Sequence, residues 1–230
     1  MRHGHRNRSR MCGRFSLTRN PLEAVSLLRG LEPPEPFRPR YNIAPAQLVW
    51  ALIAPQGRLE LALLHWGFKL KEGGRLINAR AETVPEKPMF RRAFRWRRCI
   101  VWADGFYEWR RVQPRWRTPY YVRFRDHHVF GMAGLWEEVP DPRGGRLRAA
   151  VVLTTESNAL LRPIHERMPL ILPPEAYEAW LRAPAAELKR LWHRLRPHPD
   201  DTLEAYPVSR RVNDPRVDEP ALIWPALSRA

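Results

Sequence analysis

The sequence predicts an α+β fold: a single domain with a mostly antiparallel, curled, barrel-like β-sheet flanked by helices. Apolar runs of strand length, separated by turn residues, fill the middle of the chain from about residue 48 to residue 156. Helix signals cluster toward the two flanks, with one short basic amphipathic helix at 87–96. No internal repeat or break in composition divides the chain, and 230 residues suffice to bury a full core.

The N-terminal third is predicted to contain one helix, one loop and one hairpin. Asn20-Pro21-Leu22-Glu23 reads as a helix start, with an Asn cap and Pro at the first helical position, and Gly30 is a stop signal. The proline-rich stretch 31–45 is predicted to be a loop held against the domain. The segments 48–54 and 58–68, joined by a Pro-Gln-Gly turn, predict a β-hairpin.

The remaining elements follow from similar signals. The stretch 75–83 is predicted to be extended or irregular, and 99–111 to be a second hairpin with Asp104-Gly105 as its tight turn. Further elements are predicted as three strands (119–125, 128–139 and 147–156), a short helix near 157–164, one or two helices over 173–195 broken at Pro184, and an irregular tail over 206–223.

Residues 1–10, MRHGHRNRSR, lack apolar periodicity and are predicted to be a disordered basic leader, absent or removed in the mature protein. The single domain then spans 11–230. This leader has no apolar core of a signal peptide, and the chain has no apolar run of membrane-spanning length. We therefore expect no membrane association and a cytoplasmic protein, associated with the nucleoid if the cell is bacterial.

The composition points to a polyanionic partner. The net charge is +16, the pI is about 11.1, and 36 of the 40 Lys and Arg residues are arginine. Arginine forks match phosphate oxygens, and ten tryptophans offer faces on which unpaired bases can stack. Two cysteines are too few for a disulfide framework or a cysteine-rich zinc site. No phosphate-binding glycine loop is present, so we expect no nucleotide cofactor. Because the cysteines and histidines also lack the spacing of metal ligands, we expect no metal site. We further expect a monomer.

Cys12 follows Met11 directly, and methionine is trimmed when a small residue follows it. Cys12 would then carry an α-amine beside its thiol, and the amine has an ordinary pKa of about 7.7–8.0. Such a pair condenses with an aldehyde to an imine and closes to a thiazolidine ring, in a step that gains from proximity. The alternative is a small buried hydrophobic residue, which is what we expect of Cys99 in the apolar run CIVWA.

Three polar residues complete a candidate active site. Glu108 lies between two aromatic residues, where desolvation would raise its pKa and suit it to general acid catalysis. Asn78 supplies an amide and His165 a titrating imidazole, while Arg80 and Arg167 share a face with Asn78 and His165 in an extended chain. Each of these has an ordinary structural role as its alternative. The set is also that of a cysteine peptidase, and chain spacing does not separate the two.

Six ordered blocks carry a resemblance to a known family. They are MCGRFSL (11–17), YNIAP (41–45), WGF (66–68), INARAET (77–83), GFYEW (105–109) and HERMPLIL (165–172). The chain resembles the SRAP family, the SOS response-associated peptidases, also described as abasic-site processing or shielding proteins. The later VSRRVNDP segment is similar to the family's C-terminal element, and Glu166 stands where many relatives have Asp.

The resemblance implies a partner and a site. The partner is single-stranded DNA containing an abasic site, shielded by a covalent thiazolidine crosslink. The implied catalytic residues are Cys12, Asn78, Glu108 and His165, and the implied DNA-binding residues are Arg14, Arg80 and Arg167. We further expect Trp66 and Trp109 to bind DNA by stacking against bases next to the lesion. The resemblance also implies a lyase side reaction and autoproteolysis. A cysteine peptidase using Cys12 and His165, and a non-enzymatic single-strand-binding module, remain the alternatives.

Overall fold

The computed structural model describes residues 13–70, 73–113, 116–141, 144–195 and 197–226 of the chain. Within these ranges the chain forms fifteen β-strands and four α-helices. The strands are β1 Arg14–Leu17, β2 Arg40–Ile43, β3 Leu48–Ile53, β4 Glu60–Trp66, β5 Phe68–Lys69, β6 Arg75–Leu76, β7 Asn78–Arg80, β8 Arg98–Ala103, β9 Gly105–Gln113, β10 Trp116–Phe124, β11 Phe130–Pro140, β12 Arg146–Glu156, β13 Arg167–Pro169, β14 Ile171–Leu172 and β15 Leu203–Pro207. The helices are α1 Pro21–Ala24, α2 Pro88–Trp96, α3 Tyr177–Arg182 and α4 Ala185–Arg194.

A closed five-stranded barrel forms the centre of the molecule. Its strands follow the order β12-β4-β3-β8-β11, and pairing of β11 with β12 closes the ring. All of these pairs are antiparallel except β12 with β4. After Arg98, both faces of β8 are apolar and fully buried, as expected of a strand between a barrel interior and outer helices. The predicted α+β class with a curled, mostly antiparallel sheet is confirmed.

A second, wholly antiparallel sheet packs beside the barrel in the order β15-β10-β9-β1-β2. Its outer side is covered by residues 208–226, which we call the C-terminal segment. There a small apolar cluster forms, made of Tyr107, Tyr121, Val208, Val212 and Leu222. This sheet holds both β1, which begins just after Cys12, and β9, which carries Glu108.

The predicted hairpin at 99–111 is wrong. β8 belongs to the barrel and β9 to the second sheet, so the chain crosses between sheets at Asp104-Gly105 instead of turning back. The Asp104 carboxylate is buried and accepts hydrogen bonds from Ser16 Oγ (2.6 Å), from Thr18 Oγ1 (2.7 Å) and from the amides of Thr18 and Arg19. It thereby ties the crossing point to the end of β1.

Gly105 is required at the crossing by a close approach. A Cβ on this residue would lie 2.1 Å from the Tyr121 hydroxyl oxygen, which is itself 2.7 Å from Ser16 Oγ. Any side chain at position 105 would therefore displace a ring that is almost completely buried.

The other local predictions are mostly confirmed. β3 and β4 form the predicted hairpin, α2 matches the predicted helix, and α3 and α4 are separated at Pro184. Asn20 caps α1, accepting from the Leu22 amide at 3.1 Å. The helix expected near 157–164 is a series of turns, and part of the predicted loop at 31–45 is β2. Among the described residues, no helix has the length and apolar character needed to cross a membrane.

Arg98 joins two helices to the barrel through a buried charge. Its guanidinium donates to the carbonyls of Phe94 (2.9 Å) and Arg95 (2.7 Å) at the end of α2, and to those of Trp180, Leu181 and Ala183 at the end of α3. A cation is favoured at helix C-termini, where carbonyls lack intrahelical partners. Burial lowers the pKa of Arg98 to about 10.

Candidate functional site

The strand that follows Cys12 runs beside the strand that carries Glu108. Cys12 itself lies outside the described residues, which begin at Gly13. Arg14 opens β1 and pairs with Tyr107 of β9, the residue immediately before Glu108. One residue of chain spans at most about 3.6 Å. The register therefore brings the start of the described chain next to the Glu108 position.

Glu108 is a buried carboxylate on β9, just before the point at which the β9–β10 hairpin becomes exposed. It is 1% exposed, whereas the next residues along β9, from Arg110 to Gln113, are all exposed. Tyr120 of β10 lies directly opposite, and the Trp109 amide donates to Glu108 Oε2 at 3.3 Å. The Glu108 carboxylate therefore lies next to the exposed outer part of this hairpin.

β12 lies between Asn78 and the segment containing His165. β7 pairs with β12 in parallel, with Asn78 opposite Val152, and β13 pairs with the other edge of the same strand, with Arg167 opposite Glu156. β12 thus sets the spacing between the two candidate residues.

The His165 imidazole is held by its own chain. Its Nδ1 lies 3.0 Å from the Arg167 amide nitrogen, which donates to an unprotonated Nδ1, and 3.3 Å from the Arg167 carbonyl oxygen, which accepts from a protonated Nδ1. Burial lowers the pKa of His165, and Arg117 of β10 adds to this lowering. His165 is therefore neutral at pH 7 and lies within electrostatic reach of the hairpin that contains Glu108.

Arg167 does not line an open groove as predicted. Its side chain is 9% exposed, and its two terminal nitrogens donate to the two carboxylate oxygens of Glu82 at 2.7 Å each. One of these nitrogens also donates to the Thr154 carbonyl. Burial raises the pKa of Glu82, but the hydrogen bonds from Arg167, a backbone hydrogen bond and the charges of Arg167 and Arg80 together outweigh burial and lower the pKa of that carboxyl. The pair joins the segment after β7 to β13.

Trp66 was expected to stack on DNA bases, and the structure contradicts this. It is 1% exposed, its ring packs edge-on against Phe15 at 4.9 Å, and its Nε1 donates to the Ile77 carbonyl at 3.0 Å. Phe15 follows Arg14 and Ile77 precedes Asn78. Trp66 therefore fixes the relative positions of β1 and β7 from inside the core.

The Arg14 side chain is hydrogen-bonded to the C-terminal segment. Its guanidinium donates to Asn42 Oδ1 at 2.9 Å, to the Val212 carbonyl and to the Asn213 carbonyl at 3.1 Å. Burial lowers the pKa of Arg14, and the charge of Asp214 opposes that effect. Arg14 thus holds the C-terminal segment against β1.

The sequence analysis missed Asn42 and Asn213. Asn42 is fully buried, and its Nδ2 donates to the carbonyls of Val212 (3.3 Å), Asp214 (3.0 Å) and Val217 (2.7 Å). Asn213 accepts from Trp109 Nε1 at 2.8 Å. Both residues lie in motifs that carry the family resemblance, YNIAP and VNDP, and these motifs could have identified them as candidate site residues. Trp109 stays partly exposed and Arg80 is exposed, as a role at a binding surface requires.

Cys99 is fully buried in the barrel, and burial raises its pKa, which agrees with the prediction of a core thiol. Across the described residues, no cluster of three His, Cys, Asp or Glu side chains is arranged to hold a metal ion.

The model of the SOS response associated peptidase (SRAP) family matches residues 11–215, a range that contains every candidate residue above. The chain belongs to the SRAP family. Among its relatives are the abasic site processing protein YoqW of Bacillus subtilis, 37% identical over 93% of this chain and 99% of that protein, and YedK of Escherichia coli, 32% identical over 75% and 80%. The abasic site processing protein HMCES of Xenopus tropicalis is 29% identical over 80% of this chain and 65% of that protein.

Solved structures show the same fold. A Bacteroides thetaiotaomicron protein matches 94% of this SRAP chain and all of its own, with a TM-score of 0.72 at 24% identity. A Bordetella bronchiseptica protein matches 86% of this chain and all of its own, with a TM-score of 0.71 at 27% identity.

Proposed function

We propose that this SRAP protein recognises abasic sites in single-stranded DNA and captures them as a covalent thiazolidine at Cys12. Its relatives in Bacillus subtilis and Escherichia coli are named abasic site processing proteins. The observation that carries the proposal is the pairing of β1 with β9. It places the residue after Cys12 beside a buried carboxylate, at the foot of a basic hairpin.

The chemistry needs an aldehyde and a free N-terminal cysteine. The open form of an abasic deoxyribose supplies the aldehyde. The neutral α-amine of Cys12 adds to its carbon, and loss of one water leaves an imine. The thiolate sulfur then bonds to the same carbon while the imine nitrogen takes up a proton. The ring closes with a net loss of one water and no change of oxidation state.

The roles of the other residues follow from their placement. Glu108 is buried near the first residue of β1, and it transfers protons when the sugar ring opens and when water is lost. His165, whose pKa is lowered by burial, supplies a ring nitrogen that hydrogen-bonds to the sugar oxygen. Asn78 orients the amine and the sugar. Arg80 and Trp109 contact the DNA directly, whereas Arg14 and Arg167 position the walls of the site.

The decisive experiment compares two proteins that differ by one residue at the N-terminus. One begins at Met11, so that trimming exposes Cys12, and the other has a glycine inserted between Met11 and Cys12. Both are incubated with a single-stranded oligonucleotide containing one abasic site and analysed by intact mass. We expect the first protein alone to gain the mass of the DNA minus one water. Equal adduct from both would refute the proposal.

Substitutions separate this function from the two alternatives. Cys12→Ser keeps a hydroxyl nucleophile but cannot form the thiazolidine, so the heat-stable adduct is expected to vanish. Glu108→Gln is expected to slow adduct formation by about 10²-fold or more, the usual contribution of a general acid. A cysteine peptidase would tolerate the inserted glycine, and a simple binding module would hold intact and abasic strands equally well.

A further inference from the structure

The outer part of the β9–β10 hairpin exposes a combination of side chains that the fold does not use. Val112 is 62% exposed and Trp116 is 53% exposed, although both are large and apolar. Arg110, Arg111 and Arg117 surround them and are also exposed. We call this set the arm, defined as Arg110–Gln113 of β9 together with Trp116 and Arg117 of β10. Exposed aromatic and aliphatic surface within a basic patch is characteristic of a binding surface.

The C-terminal segment adds one more cation to the arm. The Arg210 guanidinium lies over the Trp116 ring, 4.6 Å from its centroid. In the described residues no acidic side chain is recorded in an ion pair with the arm arginines, whereas many other arginines of this chain are paired with Asp or Glu. The arm thus presents an aromatic face and uncompensated positive charge together.

The arm is continuous with the candidate site. Glu108 and Gln113 lie on the same strand, and Gln113 pairs with Trp116 across the hairpin. Five strand residues at about 3.4 Å each span about 17 Å. That length matches about five nucleotides of a stacked strand, at about 3.4 Å per nucleotide.

We propose that the arm binds the single strand flanking the lesion, several nucleotides away, with Trp116 stacked on a base and the arm arginines on phosphates. This inference rests on the proposed function for its DNA partner, and extends it by a separate contact that does not touch the abasic sugar. Base stacking on an exposed aromatic ring is tolerant of sequence, which suits a protein that meets lesions in any context.

The test uses Trp116→Ala with Trp96→Ala as its matched control. Trp96 is 66% exposed on α2 and also has an arginine over its ring, with Arg95 at 4.9 Å, but it lies on a different element away from β9 and β10. Binding is measured by fluorescence anisotropy on oligonucleotides containing a tetrahydrofuran abasic analogue, which cannot form a covalent bond. Three oligonucleotides are compared: one has about ten nucleotides on each side of the lesion, and each of the other two has one flank shortened to about two nucleotides. These lengths lie above and below the roughly five nucleotides that the arm spans.

We expect Trp116→Ala to weaken binding of the long-flanked oligonucleotide about tenfold, as the loss of one base–aromatic stack does. Shortening one of the two flanks should weaken wild-type binding similarly and remove the difference between the proteins. Trp96→Ala should match wild type on every oligonucleotide. Arg111→Gln should lower the slope of log K against log salt concentration by about 0.7. This change should appear only on oligonucleotides that keep the long flank contacted by the arm.

The proposal is overturned if Trp116→Ala binds the long-flanked strand within about twofold of wild type, a change smaller than one stack provides. It is also overturned if the loss persists on both of the short-flanked oligonucleotides, or if Trp96→Ala loses as much. The adduct formed by wild type with a true abasic site is scored separately. Its absence with a normal flank effect refutes crosslinking and leaves the arm standing, whereas a normal adduct without a flank effect refutes the arm alone.

Discussion

Replacing Asp104 with alanine is expected to destabilise the protein strongly, although this residue makes no ion pair recorded among the described residues. Its carboxylate accepts four hydrogen bonds, two from side-chain hydroxyls and two from backbone amides at the end of β1. A hydrogen bond to a charged group contributes about 1.5–3 kcal/mol. The Thr18 and Arg19 amides are partly accessible to water, so their loss is partly offset. We expect a loss of about 3–4 kcal/mol in the free energy of unfolding.

The matched control is Asp126→Ala. Asp126 also accepts from a backbone amide and a side chain, both of His128, but its side chain is 72% exposed. Pairs at the surface contribute about 0–1 kcal/mol. Urea unfolding followed by tryptophan fluorescence gives both free energies, provided that the slope with denaturant is unchanged. A loss below about 1 kcal/mol for Asp104→Ala, or equal losses for the two variants, would refute the assignment of the crossing point to this network.

Three further predictions concern buried groups. Trp66→Phe should lower the free energy of unfolding by about 1–3 kcal/mol, because the Ile77 carbonyl loses its donor. The DNA affinity of the folded protein should be unchanged; a stable variant with weakened DNA binding would instead support a stacking role for Trp66. Arg98→Met should lower stability by about 2–4 kcal/mol in calorimetry, since five carbonyls at two helix ends lose their donor. Burial lowers the pKa of His165 in the folded state, so the unfolded chain binds more protons just below pH 6.5, and stability present above that pH is lost as the pH falls. His165→Gln should flatten this loss between about pH 7.5 and 5.5 in urea titrations, and an unchanged pH dependence would contradict the assignment.

The elements that sequence reasoning predicted well are those decided by neighbouring residues. The hairpin of β3 and β4 follows from alternating apolar residues around a turn, and α1 follows from an Asn cap with proline behind it. The break at Pro184 is also local, because proline cannot continue a helix. In each case the signal and the structure lie within a few residues of each other.

The failures are those in which distant residues decide. Asp104-Gly105 has the composition of a tight turn, but Ser16 and Thr18 bind the carboxylate and Tyr121 occupies the space over the glycine. No local pattern reveals Ser16 and Thr18, which lie more than eighty residues from Asp104 along the chain. The same holds for Trp66, whose neighbours in sequence do not show that Phe15 and Ile77 enclose it.

The arginines show why matching positions in sequence motifs misjudges a binding surface. The resemblance implied that Arg14 and Arg167 hold phosphates, but their guanidinium groups bind backbone carbonyls and a carboxylate of the protein itself. A buried guanidinium must satisfy its donors, so it is the least available to a ligand. Charge that can attract DNA lies instead on arginines that the fold leaves exposed, such as Arg80 beside Asn78 and Arg111 on the arm. The path of the strand should therefore follow exposed arginines, from Arg80 past the Glu108 position to the arm, and not the residues nearest Cys12 in sequence.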